Sequence, residues 1–255
     1  MNIENKDKLN QLLQYWHPGG LLFSSWLKKN GYSDQLMQQY RKSGWFSALS
    51  KGVMYRTEDK PTSFAAISSY NNQVNKGFYV GAHSALELSG FNHYVPMGKP
   101  VLIIGHSQED EVPDWMKKYD FEYEFKFFST KTFLKPQLIT LNKGSVKTLI
   151  SVPEQAFLEC LLLAPNQYVY IDLFYIMEQL TTLRVEVVQQ LLENTDNIKI
   201  KRLFLYMAKK AGHDWFNRLD ISKVDIGTGK HKLVDNGVYL PEYMITIPKE
   251  LYEYE

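Results

Sequence analysis

The stretch Ser33 to Arg56, SDQLMQQYRKSGWFSALSKGVMYR, constrains the fold more than any other part of the chain. Ser33 can accept a hydrogen bond from a backbone N–H of a following first turn, and Asp34 places negative charge at the positive end of a helix dipole. The spacing therefore predicts a helix opening at Ser33, with Leu36, Met37 and Tyr40 turned to a core and Gln35, Gln38, Gln39, Arg41 and Lys42 outward. Gly44 stops it. Trp45 to Leu49 and Val53 to Arg56 then flank a turn at Ser50-Lys51-Gly52, the pattern of a β-hairpin.

The outward residues have a definite chemistry. A glutamine amide can bond bidentately to adenine, and an arginine to guanine or phosphate, which is what reading a DNA major groove requires. Lys51 at the hairpin tip and Arg56 at its end are placed to meet phosphates. A polar helix face followed by a hairpin is also ordinary solvated surface, so the stretch alone leaves both readings open. What precedes it favours the first. Leu9, Leu12, Leu13 and Trp16 form one apolar stripe of a helix over Asn5 to Trp16, Pro18-Gly19-Gly20 ends it, and Leu21 to Asn30 reads as a second helix with Leu22, Phe23, Trp26 and Leu27 inward. Helix, turn, helix, hairpin is the order of a winged helix-turn-helix.

Charge follows the same division. The chain carries 29 Lys+Arg against 28 Asp+Glu, yet residues 1 to 90 hold ten against six, leaving 19 against 22 for the remainder. From Ser24 to Arg56 the basic residues are Lys28, Lys29, Arg41, Lys42, Lys51 and Arg56, against Asp34 alone. This is the local footprint expected of phosphate contact, although an imbalance this small also arises by chance.

Beyond Arg56, Phe64 to Asn75 reads as a helix, Phe78 to Gly81 as a short strand and His83 to Leu88 as a helix. Strands are expected at Pro100 to Gly105, Phe121 to Phe128, Gln137 to Leu141 and Lys147 to Val152. Helices are expected from Pro153 to Leu163, Leu173 to Leu180, Val185 to Glu193 and Lys199 to Ala211, the last with Lys199, Lys201, Arg202, Lys209 and Lys210 as a basic outside. Lys232 to Val234 and Tyr243 to Ile247 are strand-like. The 255 residues thus predict an α+β protein: a winged helix-turn-helix domain over residues 1–94, followed by a larger mixed α/β domain over 95–255.

Catalytic and metal chemistry find little to stand on. The single cysteine, Cys160, lies in the apolar run Phe157 to Leu163, where a buried inert thiol is expected and no disulfide can form. His83, His93 and His106 match no compact metal-ligand spacing. Glu109-Asp110-Glu111 has no partner histidine and reads as a solvated loop. Gly227-Thr228-Gly229-Lys230 lacks the frame of a phosphate loop and reads as a tight turn. Trp16, Trp26, Trp45, Trp115 and Trp215 read as core or boundary packing. No catalytic residue, metal or cofactor is expected. Without a secretory signal or a run long enough to span a bilayer, a soluble cytoplasmic protein is expected.

The chain also resembles one family along nearly its whole length, the AbiEi antitoxins of type IV, abortive-infection toxin–antitoxin systems. The segments that carry the resemblance are KSGWFSALSKGVMYR (Lys42 to Arg56), VGAHSALELSGFNHY (Val80 to Tyr94), SVPEQAFLECL (Ser151 to Leu161), MEQLTTLR (Met177 to Arg184), VQQLLE (Val188 to Glu193), IKIKRLFLYMA (Ile198 to Ala208) and DIGTGKHKL (Asp225 to Leu233). Ser84 stands where threonine is expected and His231 where arginine is expected, so His231 lacks a fixed charge. The resemblance implies a winged-helix half that binds inverted repeats in operator DNA and represses its own operon. It further implies a C-terminal half that counters a nucleotidyltransferase-like toxin without a stable complex, in a protein monomeric in solution and pairing on DNA. The DNA-contacting residues would be Gln35, Gln38, Gln39, Arg41, Lys42, Lys51 and Arg56, with the basic helix from Lys199 to Lys210 supporting DNA binding or neutralisation. The rival reading is a nucleic-acid-processing enzyme that uses its winged helix for substrate capture.

Overall fold

A computed structural model describes residues 3–91, 98–129, 131–133 and 135–254, with side chains from residue 7 onward. In chain order the elements are α1 (Ile3–Gln14), β1 (Leu22–Phe23), α2 (Ser24–Lys29), α3 (Asp34–Lys42), β2 (Phe46–Ser50), β3 (Val53–Arg56), α4 (Ser63–Val74), β4 (Tyr79–Val80), α5 (Ala82–Leu88), β5 (Val101–His106), α6 (Asp114–Lys118), β6 (Glu124–Ser129), β7 (Leu138–Lys143) and β8 (Val146–Ser151). Four helices follow, α7 (Pro153–Leu163), α8 (Tyr170–Gln179), α9 (Val185–Asn194) and α10 (Ile198–Ala211), and then β9 (His231–Lys232), β10 (Val238–Leu240), β11 (Ile245–Ile247) and α11 (Lys249–Glu253). The protein is α+β, and it divides into two compact units interleaved along the sequence: Met1–Val80, Pro96–Ser129 and Ile139–Ile150 form the first, and Gly81–Val95, Thr130–Leu138 and Ser151–Glu255 the second.

In the first unit, α1 to α3 enclose a small core of Leu9, Leu12, Leu27, Tyr32, Leu36, Met37, Tyr40, Phe46 and Met54. One departure from the sequence reading lies here. Leu22 and Phe23 are not the first turn of the second helix but a two-residue strand, paired antiparallel with Met54 and Val53. The stretch after Gly20 is extended, and pairing with β3 satisfies backbone groups that a frayed helix start would leave to water. The resulting sheet has the order β1-β3-β2, so helix, strand, helix, helix, strand, strand is the element order of the expected winged module.

The outer edge of β1 is closed by side chains of α4. Ser69 Oγ accepts the N–H of Leu21 at 3.0 Å, while the Gln73 amide donates to Leu21 O at 2.8 Å and accepts from Phe23 N–H at 3.0 Å. Phe23 also packs on Tyr70 and Trp115, with ring centroids 5.3 and 5.9 Å apart. Alongside lies a five-stranded mixed sheet of order β6-β5-β4-β8-β7. Gly105 is required in it: a Cβ there would meet the ring of Tyr79, its cross-strand partner, at 2.3 Å. The sequence reading missed α6, a single turn whose Trp115 and Met116 are buried; it is too short for helical periodicity to register.

The second unit is built on α7, buried almost throughout, which packs against α5, α8, α9 and α10. Proline starts and ends it as expected: Pro153 sits in the first turn, and Pro165 follows the residue where the helix stops. Phe157, Phe204 and Trp215 form the centre, with centroid separations of 6.0 Å along the row. Glu159, fully buried on α7, is balanced by hydrogen bonds: its carboxylate accepts the Ala82 N–H at 2.7 Å, the Gln155 amide at 2.7 Å and the Ser151 hydroxyl at 3.0 Å. The tail forms a three-stranded sheet of order β10-β11-β9.

Candidate nucleic-acid interface

The α3 helix is fixed at both ends. Ser33 Oγ accepts the Leu36 N–H at 3.2 Å as its N-cap. At the other end Gly44, at φ +79°, turns the chain in a conformation that costs a side-chain-bearing residue. There the N–H of Trp45 reaches Tyr40 O at 3.0 Å and that of Gly44 reaches Arg41 O at 3.1 Å, the pair of bonds of a Schellman cap. Leu36, Met37 and Tyr40 are buried, which fixes the rotation of the helix about its axis. Gln35, Gln38, Gln39, Arg41 and Lys42 are all exposed. At about 100° per residue, Gln35, Gln38, Gln39 and Lys42 share an arc of roughly 100°, with Arg41 beside them at its flank.

That face is electrostatically unspent. Among the described residues, none of the side chains of Gln35, Gln38, Gln39, Arg41, Lys42 or Lys51 has a hydrogen-bond or ion-pair partner. The one carboxylate of the helix, Asp34, is bonded to Lys28 at 2.8 Å. Lys51 stands exposed at the hairpin tip. Arg56 is only half-exposed and lies 3.5 Å from Glu58, so it is the least available of the seven residues singled out in the sequence.

Trp45, expected at the core or its boundary, is 40% exposed and the most exposed of the five tryptophans. The pattern Gly-Trp-Phe after a helix end contains the signal: Phe46 turns into the core at 2% exposure, so alternation along β2 directs Trp45 outward.

The basic helix of the second unit requires a correction. It is not basic on its outside along its length, because Lys201 and Arg202 are 3% and 1% exposed. The Arg202 guanidinium donates to Ile226 O at 2.7 Å, Gly229 O at 2.6 Å and Met244 O at 2.8 Å, and Lys201 Nζ to Asp225 O at 2.9 Å. The Gly227-Thr228-Gly229 turn is therefore wrapped round an internal cation. Lys199 is half-buried and donates to Ala164 O at 2.8 Å, and burial lowers its pKa. Lys209 and Lys210 remain at the surface, Lys209 paired with Glu242 at 2.7 Å and Lys210 donating to Tyr252 O at 3.2 Å. The His231 pKa is lowered from the ordinary histidine value by burial and then by the Arg202 and Lys199 cations.

The other chemistry-like features stay apart. Cys160 is fully buried, and burial pushes its thiol pKa well above the usual value. Asp110 of the acidic run pairs with Lys76 at 2.5 Å on a loop. His93 lies outside the described residues. Among the described residues no three His, Cys, Asp or Glu side chains are grouped as a metal would need, and no helix is long and apolar enough to cross a membrane. A cleft of about 370 Å³ in the second unit is lined by Thr132, Phe133, Lys135, Gln137, Gln190, Leu191, Asn194 and Thr195, with no carboxylate, histidine or cysteine among them.

Two family models account for the chain almost end to end: the N-terminal domain of the AbiEi antitoxin transcriptional regulators over residues 5–97, and the AbiEi antitoxin transcriptional regulator of type IV toxin–antitoxin systems over residues 99–248. The chain belongs to the AbiEi antitoxin family. This AbiEi chain is accordingly a transcriptional regulator and antitoxin by family, which agrees with the resemblance drawn from its motifs. No curated protein sequence matches it. In fold it is similar to the crystal structure of the RV2827C protein from Mycobacterium tuberculosis, with a TM-score of 0.57 and 16% identity over 91% of this chain and 87% of that one. At that identity the likeness is one of fold.

Proposed function

We propose that this chain represses its own operon and counters the toxin encoded beside it. Residues 1–94 carry operator reading: α3 enters the major groove, the β2–β3 hairpin lies along the backbone as a wing, and two protomers, monomeric when free, pair on inverted half-sites about one or two helical turns apart. Residues 95–255 counter a nucleotidyltransferase-like toxin without forming a stable complex with it. The protein acts by binding rather than by catalysis. The observation that carries the reading is the unpartnered amide, guanidinium and ammonium groups of α3 beside the free Lys51, since groups left without internal partners on a rigid helix are available to phosphates and base edges.

The first test is fluorescence anisotropy of the full chain with the duplex upstream of its own reading frame, against a scrambled duplex of equal length. Preferential binding supports the reading, and equal binding overturns it. The division of labour is tested in cells expressing the neighbouring toxin. Because the two compact units interleave along the sequence, the test uses the full chain: the Arg41→Ala, Lys42→Ala double variant should still protect while losing operator binding. Loss of protection together with loss of operator binding would overturn the division.

A further inference from the structure

We infer that the DNA half-site presents adenines in its major groove, read by the amides of Gln35, Gln38 and Gln39, with Arg41, Lys42 and Lys51 holding the flanking phosphates. This rests on the operator-binding reading above. A recognition helix meets base edges chiefly through its N-terminal residues, and in α3 every exposed, unpartnered side chain before the last turn is a glutamine. The two cations of the helix, Arg41 and Lys42, both lie in that last turn. Asp34, which would otherwise accept from cytosine, is engaged by Lys28 at 2.8 Å.

The amide fits one base better than the other three. Its C=O and N–H₂ sit side by side, matching the N6–H donor and N7 acceptor of adenine in two simultaneous bonds. Guanine offers two acceptors, O6 and N7, so the amide oxygen would face a lone pair. Cytosine and thymine each offer a single polar group, N4–H₂ or O4. Three such amides on one rigid arc define an A·T-bearing half-site, each bidentate pair favouring adenine by about 5- to 150-fold.

The test selects bound sequences from a random duplex pool with the full chain and with the Gln35→Ala, Gln38→Ala, Gln39→Ala triple variant. We expect the native protein to enrich adenine at two or more fixed positions of each half-site, well above its frequency in the starting pool. The triple variant should lose that preference while keeping its salt-dependent affinity for random DNA, since its cations are untouched. Replacing the enriched adenines by 7-deazaadenine, which removes the N7 acceptor, should weaken native binding by about 5-fold or more per contact. Half-sites dominated by G·C pairs, or an adenine preference unchanged in the triple variant, would overturn the inference and leave operator binding standing. No enrichment by the native protein would overturn operator reading itself.

Discussion

Replacing Arg202 by methionine gives the strongest test of the architecture of the second unit. The guanidinium is 1% exposed and bonds three backbone carbonyls, those of Ile226, Gly229 and Met244, at 2.6 to 2.8 Å. Methionine fills most of the volume of the stem and removes a buried charge, which recovers desolvation energy. It leaves the three carbonyls without donors, at about 1–3 kcal/mol for each that stays dry. Gly229 is exposed and Ile226 half-exposed, so water can reach part of that loss, and a net cost of about 2–4 kcal/mol is expected. For a protein of this size that lowers the melting temperature by roughly 4–16 °C. Urea unfolding followed by far-ultraviolet circular dichroism measures it, with Lys209→Ala as the comparison. That exposed pair with Glu242 should be worth about 1 kcal/mol or less. Equal stabilities for the two variants, or Arg202→Met within about 0.5 kcal/mol of the native protein, would refute the reasoning.

Two further outcomes follow from the same geometry. Burial alone would raise the Glu154 carboxyl, but hydrogen bonds from the Arg184 side chain and backbone, each 2.9 Å, outweigh it and hold the pKa below the ordinary value. Its contribution to stability is therefore present above the unfolded carboxyl pKa of about 4.3 and is lost as the pH falls through the lowered value. Glu154→Gln should be less stable than the native protein at neutral pH and show a flatter acid-unfolding profile; parallel profiles would count against the pair. Gln73→Ala removes the two amide bonds to the outer edge of β1 while leaving that of Ser69 and should cost about 1–3 kcal/mol in the first unit, read by thermal unfolding; a change within error would show that the Gln73 amide does not hold β1.

The legible parts of this fold were those governed by local chemistry. Ser33, Gly44, Pro153 and the Ser50-Lys51-Gly52 turn act within a few residues of themselves, and the elements they bound lie where the sequence placed them. The β1 strand was not legible, because two apolar residues carry no period of their own and become a strand only when β3 supplies the partner. The basic helix misled for a related reason. Lys209 and Arg202 look alike as charges in a row, and what separates them is the return of residues 225–229 against one side of α10. Hydrophobic patterning also lost Trp45, an aromatic that is apolar in composition and exposed in place.

The salt dependence of operator binding tests whether α3 and the hairpin tip neutralise DNA phosphates, as proposed. With Arg41→Ala and Lys42→Ala together, the slope of log affinity against log salt should become shallower by about two, one for each cation removed, with thermal unfolding unchanged. An identical slope and affinity in the native and doubly substituted proteins would place the DNA contact elsewhere on the molecule and rule out this surface.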